Sequence, residues 1–267
     1  MKYFRGYLFM VILLCALLSS AQEDAKSAED LAKQLANPVA SLISVPFQNN
    51  FDFGMGPEEV GTRYNLNIQP VIPISLNEDW NLISRTIIPI ISQNDVYFDG
   101  SSQSGLADVV QSVFFSPKEP TKRGLIWGAG PVFLLPTATE DFFGANKWGI
   151  GPNAVALKVQ GQWTFGALAN HIWSFAGSGQ NTINATFFQP FLTYAKPSGV
   201  SYTIASENTQ DWDRDYFGGL VGVYVAKVTS INKQLLQWSI GPKVYYGNNP
   251  IIPTWGIRAN IIALFPK

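Results

Sequence analysis

Between Arg63 and Ile74 the even positions are Tyr64, Leu66, Ile68, Pro70, Ile72 and Ile74, while Arg63, Asn65, Asn67 and Gln69 occupy the early odd positions. Successive side chains of a strand point to opposite faces, so this stretch predicts a strand with one oily and one wet face. The alternation recurs. In 43–53 Ile43, Val45, Phe47, Phe51 and Phe53 oppose Ser44, Gln48, Asn50 and Asp52. In 254–265 Trp255, Ile257, Ile261 and Phe265 oppose Thr254, Arg258 and Asn260, and 200–207 and 234–246 repeat the pattern. Seven other segments, 80–92, 105–116, 125–136, 148–158, 163–175, 182–195 and 216–228, have the length of strands but a blurred alternation, several being apolar on both faces. The count is about twelve, each of roughly the ten residues a tilted strand needs to cross a bilayer.

Such strands suit a soluble sandwich with the oily face inward or a membrane barrel with the oily face outward. The connections favour the barrel. Those at 76–79, 117–124, 159–162, 196–199 and 229–233 are mostly tight; those at 54–61, 93–104, 137–147, 176–181, 209–215 and 247–253 are generally longer, with 117–124 the exception. Short periplasmic turns alternating with longer external loops are the habit of outer-membrane barrels. Tryptophan agrees: Trp80, Trp127, Trp163 and Trp238 fall at one end of their strands and Trp148, Trp173, Trp212 and Trp255 at the other, as indoles at two headgroup levels would. Pro70, Pro89, Pro131, Pro152, Pro190 and Pro242 fall inside the strands, where each removes a ladder donor. They predict irregular ladders, with bends at Gly130-Pro131, Gly151-Pro152 and Gly241-Pro242.

The N-terminus has a different pattern. Lys2 and Arg5, the apolar run Leu8 to Leu18 and the small residues Ser19-Ser20-Ala21 predict a signal peptide over 1–21. Its removal would take away Cys15, the one cysteine of the chain. A helical segment is expected over 22–38: Ala28, Leu31, Ala32 and Leu35 share a face, Ser27 can cap, and Pro38 stops the run. It reads either as a plug in the barrel mouth or as a loosely docked periplasmic tail. The barrel then occupies 39–267. The expected class is all-β, a transmembrane antiparallel up-and-down β-barrel of about 12 strands.

Composition narrows the function. The chain of 267 residues is 46% hydrophobic and 14% charged with a net charge of −1, so it offers no footprint for nucleic acid. No later apolar run reaches the roughly 18 residues a helical span needs.

Several stretches resemble a family of bacterial outer-membrane proteins, the MetA-pathway phenol-degradation type also labelled as transporters. They are Pro38-Val39-Ala40-Ser41-Leu42-Ile43-Ser44-Val45-Pro46-Phe47-Gln48, Asn67-Ile68-Gln69-Pro70-Val71-Ile72-Pro73, Asp79-Trp80-Asn81-Leu82-Ile83-Ser84-Arg85-Thr86, Phe114-Phe115-Ser116-Pro117-Lys118, Gly130-Pro131-Val132-Phe133-Leu134-Leu135-Pro136-Thr137 and Asn170-His171-Ile172-Trp173-Ser174-Phe175. The resemblance runs over nearly the whole mature chain and implies an outer-membrane barrel and passage of small hydrophobic or aromatic compounds; it transfers no catalytic residue. Phe265 is followed by Pro266 and Lys267, a departure from the aromatic last residue that the insertion machinery commonly reads.

Candidate chemistry is sparse. His171 shares its strand phase with Trp163, Phe165, Trp173 and Phe175, the outward set, whereas Ser174 and Asn170 fall on the other phase, so a Ser-His pair is disfavoured. Asp211, Asp213 and Asp215 alternate and raise a weak prospect of cation binding, but Tyr216 and Gly222 break the calcium-loop pattern. No zinc set, phosphate loop or dinucleotide fingerprint occurs, and neither cofactor nor metal is expected. Asp52, Arg63, Glu207, Lys243 and Arg258 have inward phases, and Arg85 lies mid-strand, where facing lipid would cost about 2–4 kcal/mol, so it too is expected to point inward. They predict either a charged constriction in the external half of the lumen or a structural salt-bridge network. The expected partners are outer-membrane lipid and lipopolysaccharide, small solutes and the insertion machinery. A passive channel or transporter is the leading expectation; a closed structural or surface-interaction barrel and an outer-membrane hydrolase are the alternatives.

Overall fold

The computed structural model describes residues 25–265 apart from 181 and 233, so the expected signal peptide and Pro266-Lys267 lie outside the described residues. One helix, α1 (Ala25–Leu35), precedes fourteen strand segments: β1 (Ile43–Met55), β2 (Gly61–Ile68), β3 (Val71–Ser75), β4 (Trp80–Asn94), β5 (Ser102–Leu106), β6 (Val109–Pro117), β7 (Leu125–Leu135), β8 (Lys147–Gln160), β9 (Trp163–Gly177), β10 (Asn184–Ala195), β11 (Val200–Asp211), β12 (Tyr216–Ile231), β13 (Gln234–Gly247) and β14 (Trp255–Phe265). β2 and β3 form one interrupted crossing and β5 and β6 another, which makes twelve antiparallel crossings. β14 pairs with β1 from Ile43↔Phe265 to Phe53↔Trp255 and closes the barrel. Closure matters because an open edge in lipid would leave a row of backbone groups without partners.

The polar phase points inward. Asn50, Asp52, Lys243 and Arg258 are buried, whereas Phe47, Phe51, Ile72, Phe165, Ile204, Val223 and Ile240 are exposed on the outside. The register carries this around the wall: Asp52 lies opposite Arg63 and Asn50 opposite Asn65, and on the outer face Phe51 lies opposite both Tyr64 and Ile257. An exterior of this kind is suited to hydrocarbon and not to water. Six of the eight tryptophans, Trp148, Trp163, Trp173, Trp212, Trp238 and Trp255, are exposed near strand ends, and Trp80 meets Trp127 edge to face at 5.9 Å.

The prolines disturb the ladders as expected. Gln69-Pro70 separates β2 from β3. No register pair is formed by Pro131 with Val113, by Pro152 with His171 or by Pro242 with Val223, although pairs flank each gap. In each case the proline removes the N-H that the opposing carbonyl needs, and that carbonyl settles over the preceding glycine. A Cβ on Gly130 would lie 2.2 Å from the Val113 carbonyl oxygen, one on Gly151 1.7 Å from that of His171, and one on Gly241 1.9 Å from that of Val223. The Gly-Pro order therefore has a mechanical reason: glycine clears the space into which the orphaned carbonyl moves.

The second break, at Ala107-Asp108, has another cause. Asp108 accepts hydrogen bonds from the Ala138 and Ala145 amides, at 3.1 and 2.8 Å, and so draws the 136–146 loop onto the strand interruption.

Candidate functional site

The lumen has two unlike halves. The regularly alternating strands β1, β2, β11, β13 and β14 stand side by side around the closure, with β12 among them, and they supply the polar half. Consecutive strands β6 to β10, with β4, supply the more apolar half. Their inward residues Phe114, Val155, Leu157 and Leu168 join Ile83 of β4 in a buried apolar cluster, with Phe187 and Phe191 packed against it. The blurred alternation thus marks a wall with hydrocarbon on one side and an oily interior on the other.

In the polar half four of the six expected lumen residues form one network. Lys243 Nζ lies 2.7 Å from Asp52 Oδ1 and donates to Asn50 Oδ1 at 3.0 Å and to the Tyr245 hydroxyl at 2.7 Å. The Tyr245 hydroxyl donates in turn to Asp52 Oδ1 at 2.8 Å. Arg258 donates from Nε to Asn50 Oδ1 at 2.8 Å and grips Glu207 with both terminal nitrogens, at 2.6 and 3.1 Å. β11 and β14 are separated by β12 and β13, so the Arg258–Glu207 pair is a chord across the interior. Tyr224 lies beneath it, its ring 5.4 Å from the Arg258 guanidinium carbon, and its hydroxyl occupies the place where a Cβ on Gly222 would be. Lys243 is 2% exposed, so this is an internal ion-pair network and not a row of solvated charges.

The other two stand apart. Arg63 faces the lumen opposite Asp52 but donates to Gln93 Oε1, at 3.0 Å. Arg85 sits nearer the opposite rim and donates to Gln69 Oε1 at 2.9 Å. Neither has a carboxylate in ion-pair contact among the described residues. Asn50 and Tyr245, which hold the network together, were visible in the sequence only as polar residues in phase with Asp52 and Lys243.

The helix is docked inside the barrel. Ala32 is 1% exposed and packs with Ala195 and Val228, while Leu31 and Leu35 pack against both that group and the cluster of Ala40, Leu42 and Leu264. Ser27 lies within α1 and not ahead of it. After the helix, Asn37 turns the chain by accepting from the Val39 and Ala40 amides, at 3.0 and 3.2 Å, and Val39 crosses to the apolar cluster on the far wall. α1 and its turn therefore lie inside the rim that carries the tight connections.

Above that floor lies a cavity of about 600 Å³, bounded by Ala32, Leu35 and Pro38 below, by Val110, Leu134, Ile172, Phe187 and Phe191 on the apolar side, and by Gln48, Glu207 and Arg258 on the polar side. A smaller cavity of about 180 Å³ lies between the end of α1 and the wall, and Gln69, Arg85 and Gln189 line both.

Outside the lumen, the His171 ring lies 4.1 Å from that of Trp173, and its Nδ1 shares a 2.7 Å hydrogen bond with the Thr186 hydroxyl, which also accepts from Trp212 Nε1 at 2.8 Å. Thr186 escaped sequence reasoning because it comes from the neighbouring strand. His171 Nε2 has no partner among the described residues, so no carboxylate or amide orients the ring as a catalytic base requires. Ser174 instead accepts from the Ile183 amide at 2.9 Å. In the acidic loop Asp211 accepts from the Asp213 and Arg214 amides and pairs with Arg214 at 3.3 Å. Asp213 accepts from Thr182 and Asn184, hydrogen bonds that hold its carboxyl below the usual range. The carboxylates are occupied with their own loop, and no cluster suited to a metal occurs among the described residues.

Known structures share this architecture. The crystal structure of an outer-membrane channel from Pseudomonas putida F1 is similar at a TM-score of 0.64 and 16% identity, over 84% of this chain and 94% of that one. The NanC porin is similar at a TM-score of 0.50 and 11% identity, over 84% of this chain and 100% of its own. No family model and no curated protein matches the sequence. At these identities the likeness is one of fold.

Proposed function

We propose that this chain is an outer-membrane barrel that lets small, largely apolar solutes pass, with α1 and the turn after it as the element that occludes the inner rim, and that it belongs to the phenol-degradation type of barrel its sequence resembles. The observation that carries the reading is the cavity of about 600 Å³ walled on one side by Val110, Leu134, Ile172, Phe187 and Phe191. A pore for hydrated solutes gains nothing from an oily wall, and a barrel needing only to be filled has no use for so large a space. The similarity to an outer-membrane channel supports the reading. The test is uptake into proteoliposomes of a panel of aromatic and alkyl compounds beside sugars of equal size. Faster entry of the apolar compounds than of the sugars is expected; rates equal to those of protein-free vesicles throughout refute it. A hydrolase acting through His171 would instead require lipid hydrolysis that His171→Ala abolishes.

A further inference from the structure

We propose that Arg85 is the head-group receptor of a site for amphipathic monocarboxylates inside the barrel, that is, for molecules with one carboxylate on an alkyl or aryl body. This names a solute class and rests on the reading of the lumen as a solute path. Three ionic side chains line the larger cavity, Arg85, Glu207 and Arg258. Glu207 and Arg258 satisfy each other through two hydrogen bonds, which leaves one net positive charge on the cavity wall, that of Arg85. Its guanidinium carries five N-H donors and spends one on Gln69, with no carboxylate in ion-pair contact among the described residues. A half-buried cation beside an oily wall favours an anionic partner over water, because the low local dielectric strengthens the attraction.

Position adds to charge. Arg85 lines both cavities, so a solute moving from the main cavity into the space beside α1 passes its guanidinium. Ile87 lies two residues on, with Val110 opposite it on β6, and Phe187 and Phe191 bound the cavity. A carboxylate held in the guanidinium fork would thus have its apolar body against those side chains. A neutral hydrocarbon has no need of the cation, an amine is repelled by it, and a dianion would leave one charge unmatched.

The experiment is equilibrium binding of 4-phenylbutyrate and of its neutral isostere 4-phenylbutanamide to the full-length barrel in phosphatidylcholine nanodiscs, with empty discs as the partition control. The wild type is expected to prefer the acid by about tenfold or more, the effect of one charge-assisted bidentate contact. Arg85→Gln should bring the acid to the affinity of the amide without changing the amide, and Arg85→Lys should keep part of the preference. Equal affinity of the wild type for acid and amide overturns the proposal while leaving an apolar solute path standing, and so does a preference that survives Arg85→Gln. Failure of the acid to bind also overturns it. The solute path itself falls only if neither compound enters proteoliposomes faster than it enters protein-free vesicles. The wild-type ratio decides the matter even if a variant fails to fold.

Discussion

Glu207→Ala cuts the chord across the lumen and leaves the Arg258 guanidinium inside with Asn50 at 2.8 Å, the Gln48 side-chain amide at 2.9 and 3.0 Å and the Tyr224 ring at 5.4 Å beside it. The Arg258 side chain is 8% exposed and that of Glu207 21%, so the pair is neither at the surface nor fully dry. Exposed pairs contribute about 0–1 kcal/mol, whereas removing one member of a buried pair costs about 3–5 kcal/mol because the survivor is stranded. A fifth of the Glu207 side chain being open to the lumen places the expected loss between these, at about 2–3 kcal/mol. The double variant Glu207→Ala/Arg258→Leu removes the stranded charge and should be less destabilised than the sum of the single variants by about 1.5 kcal/mol or more. The assay is equilibrium urea unfolding from lipid vesicles followed by tryptophan fluorescence, with Thr209→Ala as the reference for a nearby polar truncation. A loss no larger than that of Thr209→Ala, or additive behaviour in the double variant, would show that the chord contributes no more than a surface pair.

Three further outcomes are expected. Ala32→Phe overfills the contact of α1 with Ala195 and Val228, at about 1–3 kcal/mol for such overpacking, and should raise conductance in planar bilayers; unchanged conductance argues that α1 does not occlude the barrel. Gly151→Ala sets a Cβ 1.7 Å from the His171 carbonyl oxygen, whereas Gly218→Ala meets nothing nearer than Ile252 Cδ1 at 3.6 Å. Urea unfolding should show the first destabilised by about 2 kcal/mol or more and the second within about 0.5 kcal/mol of wild type apart from strand propensity; equal effects would refute the account of the Gly-Pro pairs. Because the Asp213 carboxyl titrates below its ordinary value, the order it contributes is present above about pH 4 and fades as the pH falls through the lowered value. Amide exchange in 178–180, 182–183 and 212–215, corrected for the intrinsic pH dependence, should rise over that interval in the wild type and not in Asp213→Asn.

The inward and outward faces were legible because a strand's period of two leaves one choice, and the inward phases of Asp52 and Arg258 settled it. The breaks were legible only in part. Pro70 announces the first, but Ala107-Asp108 has no local signature, since its cause is the reach of Asp108 to amides of a later loop. Grouping the six charges as a single set hid a division by depth: phase tells which face Arg85 occupies, not that it stands toward the plugged rim, away from Asp52, Lys243 and Arg258. Partnership across the lumen was invisible too, since Glu207 and Arg258 meet by the curvature of a closed wall and not by strand adjacency.

The blurred strands are more telling than the clear ones. An outer-membrane strand lining a watery pore has every reason to alternate, since its two faces meet opposite solvents. Where the alternation fails over the consecutive strands β6 to β10, the inner face must meet something apolar as well. Part of that demand is met by Val39, which the turn after α1 carries to Phe114, Val155 and Leu168. Higher in the same wall, Val110, Leu134 and Ile172 face the cavity, whereas among the described residues α1 and its turn border it only at the floor, through Ala32, Leu35, Ala36 and Pro38. Water there would be held against an oily surface, a situation that a solute of matching polarity relieves. The same doubly apolar pattern that obscured the strands in the sequence is therefore the feature on which the proposed preference for apolar solutes rests, and on that proposal a polar substitution such as Ile172→Asn should slow entry of apolar solutes while leaving sugars unaffected.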